Sequence, residues 1–168
     1  MDFGLLLARL VLGLLMAAHG SQKLFGWFGG HGISGTARFF ETLGFRPGRL
    51  FAVTAASTEL LGGLLVASGL LGPLGPALII AVMIVAAGSV HWRNGVFAGS
   101  NGVEVPLLYA TGAAALALTG PGAYSLDWLL GLSAVWTPAI AWGALVLSIA
   151  GGAVNLALRH PDPAAKVA

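Results

Sequence analysis

The chain has 168 residues, of which 57% are hydrophobic and 8% are charged, with a formal net charge of +2 and no cysteine. Soluble domains carry about 25% charged residues, so this composition excludes an ordinary soluble protein and predicts an integral membrane protein surrounded by lipid. Without cysteine, disulfides, thiol redox chemistry and cysteine-ligated metal centres are excluded. The basic residues form no stripe of the kind that binds nucleic acid, and we expect no nucleic-acid partner.

Five apolar segments follow one another along the chain, and most approach the ~20 residues that a transmembrane helix needs. We predict spans at residues 3–20, 50–71, 76–90, 104–119 and 135–158. No basic region precedes the first segment and no good cleavage site follows it, so we expect a retained span and not a signal peptide. Between the first two spans, residues 36–44 can form a short helix, either in the headgroup plane or packed on the bundle.

The basic residues predict the orientation of these spans. Those outside the spans fall in three segments on one side of the membrane: Lys23, Arg38, Arg46 and Arg49, then Arg93, then Arg159 and Lys166. Lys and Arg are enriched in cytoplasmic loops. We therefore expect these segments in the cytoplasm and the N-terminus outside.

Two opposite charges, Arg9 and Glu59, interrupt the first and second spans. A charge near the centre of a span costs about 2.5–3.5 kcal/mol on insertion scales, so it marks a functional site by default. Counted from the predicted span ends, both lie roughly 15 Å from the same membrane face, and we predict an intramembrane ion pair between them. Such a pair could equally be a clasp that fixes helix register without chemistry of its own.

More polar residues are expected at the cytoplasmic ends of the spans. His19, Gln22 and Lys23 share one helix face because they lie three and four residues apart. The third span delivers His91 to the same side of the membrane. These residues therefore converge on one end of the bundle, although each alone is more often an interfacial or capping residue.

The fourth span begins at that same end, with Asn101 as a predicted helix cap and Glu104 at the positive end of the helix dipole. His and Glu are common proton donors and acceptors, so Glu59, His91 and Glu104 are the predicted proton-handling residues of a site for a small oxygenated ring such as a quinone. The residues predicted to bind the ligand are Arg9, His19, Gln22, Lys23 and Asn101. We predict no metal site.

Several blocks of the sequence resemble the DoxX family of small membrane proteins. They are Arg9, HGSQKLFG at 19–26, ELLGG at 59–63, His91, NGVE at 101–104 followed by Tyr109, and GPGAYSLD at 120–127. The resemblance implies a four-helix core in a bacterial plasma membrane and an oxidoreductase assignment. In some relatives it implies association with quinone or catechol detoxification or with respiratory sulfur oxidation. It also adds Tyr109 to the ligand-binding residues.

The predicted fold is therefore all-α, an integral membrane helical bundle. Residues 1–132 are expected to form a four-helix DoxX-like membrane domain with the interfacial helix near 36–44, and residues 133–168 a fifth transmembrane helix and a short polar tail.

Three functions are compatible with this sequence. The first is a quinone- or phenol-binding component of a membrane redox or detoxification system. The second is a scaffold that anchors a soluble oxidoreductase on Arg38, Arg46 and Arg49, and the third is a binder of lipids or small hydrophobic molecules. A b-type haem on His19 and His91 is disfavoured because span ends bury a porphyrin poorly. No nucleotide-binding motif is present, so any NAD(P)H or flavin would belong to a partner.

Overall fold

The computed structural model describes residues 1–160, and the predicted polar tail with Lys166 lies outside them. The helices of the described part are α1 (Asp2–Phe25), α2 (Gly32–Thr42), α3 (Gly48–Ser68), α4 (Leu74–Ala86), α5 (Glu104–Thr119), α6 (Leu126–Leu129) and α7 (Pro138–Ala157). Helix α4 continues into a π turn, Ala87–His91, and a 3₁₀ turn, Trp92–Asn94. The predicted fold class, an all-helical membrane bundle, is confirmed.

Within residues 1–160, four helices are long and apolar enough to cross a bilayer, namely α1, α3, α7 and the segment Leu74–Asn94 that contains α4. Helix α5 has 16 residues and spans about 24 Å, which is less than the ~30 Å hydrocarbon core. Its bounds are those predicted, whereas α1 continues from Gly20 to Phe25. Polar residues do not end α1, because Ser21 donates its hydroxyl to the Ala17 carbonyl (2.8 Å) and Lys23 finds a carboxylate partner.

The long helices form a ring of four with a fifth helix outside it. Helices α1, α3, α4 and α5 each contact the next, α5 returns to α1, and α7 packs against α4 and α5. The centre of the ring is apolar, with Met16, Val66, Ile79 and Ala113 from the four helices buried together. Helix α2 packs on α3 and α1 with Phe40 buried, which matches the alternative of a short helix packed on the bundle.

Glycines bring α1 and α3 into backbone contact. A Cβ on Gly13 would lie 2.5 Å from the Ala67 nitrogen, and a Cβ on Gly20 would lie 2.5 Å from the Leu60 nitrogen. Small residues at helix contacts are typical of membrane bundles, where close packing drives helix association. These two approaches also fix the register of α1 against α3, which decides the partners of every charged residue on the two helices.

We expect Gly13→Ala to destabilise the protein by about 1–3 kcal/mol, the usual cost of overpacking, because its methyl group would meet the backbone of α3. Gly143→Ala on α7 is the matched control, since a Cβ there meets nothing within 4 Å. Thermal unfolding in mild detergent, followed by helical circular dichroism, should give a lower midpoint for Gly13→Ala alone. Equal midpoints would contradict the close contact.

The two ends of the ring differ in charge. We call the end where α1 stops and the α4 segment reaches His91 the His91 face, and the opposite end, which α6 covers, the Asp127 face. All Lys and Arg in residues 1–160 except Arg9 lie at the His91 face. The end of α7 belongs there too, because the His160 N–H donates to the Gly44 carbonyl (2.8 Å).

Candidate functional site

A cavity of about 170 Å³ lies at the His91 face, and we call it the Glu59 cavity. Its polar side chains are Lys23, Glu59, Ser89 and His91, and the rest of its lining is apolar. Phe39, Phe40 and Leu43 of α2 cover it, while α3 and α4 supply small and branched side chains. Of the residues predicted for a site, the structure therefore gathers Lys23, Glu59 and His91 around one cavity.

Glu59 and Lys23 form an ion pair across the contact between α3 and α1. Both carboxylate oxygens of Glu59 accept hydrogen bonds from the Lys23 ammonium. The Glu59 side chain is 4% exposed, whereas that of Lys23 is 30% exposed. The carboxylate is therefore buried, and the long Lys23 side chain reaches it from the more exposed His91 face. Within residues 1–160 no other acid and base come within 4 Å of each other.

His91 is presented to the cavity by the π turn at the end of α4. Its Nδ1 lies 2.8 Å from the carbonyl oxygen of Asn101. Because a carbonyl can only accept, Nδ1 must carry a hydrogen, and Nε2 of the neutral ring is then an acceptor. π turns are frequent at functional sites, and this one fixes the tautomer of an imidazole beside a buried carboxylate.

His19 and Tyr109 meet at the same face without lining the cavity. Their rings pack edge to face with centroids 6.1 Å apart. His19 is exposed on α1 and Tyr109 is partly buried on α5. This pair therefore joins α1 to α5 at the His91 face, outside the lining of the Glu59 cavity.

Gln22 lines a neighbouring cavity of about 310 Å³ between the end of α1 and the start of α2. Its side-chain nitrogen donates to the Phe28 carbonyl (3.1 Å), which ties the turn after α1 to the helix. Lys23 and Phe39 line both cavities. Gln22 is therefore near the ion pair but is occupied by the backbone of the turn.

Glu104 lies in the first turn of α5, as predicted, and Asn101 lies in the loop before it. The residue before α5 is Val103, and no side chain caps this helix, so the expectation that Asn101 is its cap is wrong. Asn101 instead adopts a left-handed conformation (φ 62°), which turns its carbonyl toward His91. Glu104 accepts from the Ala98 N–H (2.7 Å) and closes the loop before α5, outside the lining of the Glu59 cavity.

The predicted Arg9–Glu59 pair is wrong. Gly20 lies against Leu60 and Gly13 against Ala67, so Glu59 is level with Gly20 and Arg9 is level with Gly69. Ten residues of helix, about 15 Å, separate the two depths. The prediction measured depth from a helix end at Gly20, and α1 in fact continues to Phe25.

Arg9 instead belongs to the Asp127 face, where it is 2% exposed. One of its terminal nitrogens donates to the Tyr124 carbonyl, and the fully buried Asp127 lies at the same face without forming an ion pair with it. Nε and the other terminal nitrogen have no protein acceptor in the described part of the chain. A space of about 10 Å³ beside them is the size of a single water molecule.

Asp127 is the residue that sequence reasoning missed. It is fully buried, and its carboxylate accepts from the backbone N–H groups of Leu71 (2.9 Å) and Gly72 (2.6 Å). It thereby joins the loop around α6 to the turn between α3 and α4. The signal in the sequence was an acidic residue inside the block at 120–127, followed by an apolar segment, residues 128–132, that is too short to cross a membrane.

These observations define a small helical membrane protein with a buried Lys–Glu pair at one face and a buried Arg–Asp arrangement at the other. The sequence model of the DoxX family matches residues 4–92, more than half of the chain, and the protein belongs to the DoxX family. The matched range holds Lys23, Glu59 and His91 as well as Arg9. Comparison with curated proteins and with solved structures gave no match.

Proposed function

We propose that this DoxX protein binds a quinone or phenol in the Glu59 cavity, as a component of a membrane redox or detoxification system. The observation that carries the proposal is the buried Glu59 carboxylate, which opens with Lys23 and His91 onto an otherwise apolar cavity. A buried ion pair gains little stability over an apolar pair. Its position at a cavity therefore favours ligand binding over a purely structural clasp.

The side chains suit both redox states of such a ring. The Lys23 ammonium can donate to a ring carbonyl, while Glu59 and Nε2 of His91 can accept from a ring hydroxyl. Reduction of a quinone to a quinol consumes two protons and two electrons. Glu59 and Nε2 of His91 would take up protons from water at the His91 face and pass them to the ring, and a partner oxidoreductase would deliver the electrons, since the chain carries no nucleotide-binding motif.

The size of the cavity limits what can enter it. Its volume of about 170 Å³ is below the roughly 300 Å³ at which pockets for drug-sized ligands begin. A single substituted ring is compatible with that volume, whereas a nucleotide or a porphyrin is too large. The size therefore supports a quinone or phenol over a haem held by His19 and His91.

The exposed arginines around α2 support a second candidate, an anchor for a soluble oxidoreductase. Arg38, Arg46 and Arg49 are all exposed at the His91 face. The excess of basic residues at this face supports the proposal that it is cytoplasmic, in what would be a bacterial plasma membrane. A soluble partner with an acidic surface would then meet the protein on the side where the Glu59 cavity lies.

We expect purified wild-type protein to carry a quinone or phenolic compound that a Glu59→Gln/His91→Ala variant loses at least tenfold. Mass spectrometry of the organic extract, per mole of folded protein, measures this. The matched control is Glu41→Gln/His160→Ala, whose residues are exposed and away from the cavity. Phospholipid alone in every sample would contradict ring binding. The anchor would then be favoured if a soluble protein copurifies with the wild type and is lost when the charges of Arg38, Arg46 and Arg49 are reversed.

A further inference from the structure

A second cavity adjoins the Glu59 cavity on the side of α7. It holds about 70 Å³ between α3, α4 and α7, and we call it the α3–α7 groove. Thr54 and Thr58 of α3 face Gly151 and Asn155 of α7 across it. Thr54 and Gly151 are exposed, so the groove opens sideways toward lipid.

The groove and the Glu59 cavity share one wall. Phe40, Ala55, Val82 and Val85 line both of them. This wall has no polar side chain, and Ala55 leaves little bulk between the two spaces. A molecule with its ring beside Glu59 therefore needs to displace only apolar side chains to extend into the groove.

Helix contacts limit the lateral routes out of the Glu59 cavity, although it also borders the cavity lined by Gln22 at the His91 face. The backbones of α1 and α3 touch at Gly20 and Leu60, which closes the path between those helices. At Gly152, which also lines the groove, a Cβ would lie 2.9 Å from the Ile84 Cβ, so α7 and α4 are in tight contact there. The exposed Thr54 and Gly151 mark the side on which the groove opens toward the bilayer.

We propose that the α3–α7 groove takes the apolar tail of a lipophilic ligand whose polar ring lies in the Glu59 cavity. This inference rests on the proposed function and names its substrate class, a ring with an alkyl or isoprenoid tail and not a free water-soluble ring. The groove is small, so it would hold the first part of the tail, and the remainder would lie in the bilayer. Because the tail leaves lipid and not water, its contact with the groove adds affinity through close packing and not through the hydrophobic effect.

Gly151 allows the groove to be filled without moving the helices. Gly151 lines the groove and a Cβ there meets nothing within 4 Å, so Gly151→Leu adds an apolar side chain at the mouth of the groove without a clash. Gly143 is the matched control, because it lies on the same helix, is equally open and does not line the groove. Both changes replace a helical glycine and add the same apolar surface.

The test compares two probes with one ring, 2,3-dimethoxy-5-methyl-1,4-benzoquinone without a tail and its decyl derivative. Binding is measured in nanodiscs by quenching of tryptophan fluorescence. We expect Gly151→Leu to raise the Kd of the decyl probe at least tenfold and to leave the Kd of the tailless probe unchanged. Gly143→Leu should bind both probes as the wild type does, which also controls for partition of the decyl probe into lipid.

The outcomes separate this inference from the proposed function. If the tailless probe binds but Gly151→Leu does not selectively weaken binding of the decyl probe, the groove is not a tail site. The proposed ring site at Glu59 is unaffected by that result. Equal loss of both probes in Gly151→Leu also overturns it, because a tail site must be selective for the tail. No binding of either probe to the wild type overturns both proposals. If Gly151→Leu does not fold, Thr54→Leu fills the groove from α3 and is judged by the same readout.

Discussion

Asp127→Ala is expected to destabilise the protein by about 2–6 kcal/mol, the cost of leaving two backbone N–H groups without their acceptor. Asp127 is fully buried and holds the N–H groups of Leu71 and Gly72. Each of these donors would lose its acceptor, at about 1–3 kcal/mol when buried. The guanidinium of Arg9, which is 2% exposed, would also lose a buried negative charge at the same face.

A double-mutant cycle identifies the partner of Arg9. Asp127→Asn keeps one acceptor oxygen, and Arg9→Met keeps the apolar bulk of the side chain. We expect their effects on the free energy of unfolding to be non-additive by about 1 kcal/mol or more, as for residues in one network. Arg9→Met with Glu59→Gln is the control cycle and should be additive within about 0.5 kcal/mol. Coupling to Glu59 and none to Asp127 would restore the pairing that the sequence predicted.

The register of α1 against α3 explains why the sequence alone misassigned these partners. Apolar runs locate a helix in the membrane well, as the bounds of α5 illustrate, but they do not show where a helix continues through polar residues. Ser21 and Lys23 resemble the end of a span, yet both are satisfied inside the fold. The glycine contacts then set a depth for Arg9 that composition does not encode.

The remaining differences come from irregular backbone. The sequence predicted that Lys23, Glu59 and His91 approach one face, because connection lengths and alternating spans require it. It could not predict the π turn at Ala87–His91 or the left-handed Asn101, which together orient the imidazole. The link from Arg9 to Tyr124 joins residues 115 positions apart, and only the packing of the α6 loop over the ring creates it.

The largest effect expected at the Glu59 cavity follows from removing its cation. Lys23→Met leaves the Glu59 carboxylate, whose side chain is 4% exposed, without its partner, and breaking a buried pair in this way costs about 3–5 kcal/mol. Lys23→Met/Glu59→Gln removes both charges and should recover most of that loss. Thermal unfolding of the two variants and the wild type in the same detergent measures the difference.

The same double variant separates a clasp from a binding site. If the pair only fixes the register of α1 and α3, a folded Lys23→Met/Glu59→Gln protein should bind quinones as the wild type does. If the charges bind the ring, as we propose, the thermal midpoint should return toward that of the wild type while the Kd of the tailless benzoquinone rises at least tenfold. Arg93→Met, which removes an exposed cation from the same face, should change neither quantity. Recovery of stability together with wild-type binding would reduce the pair to a structural role and leave His91 as the remaining polar contact for a ligand.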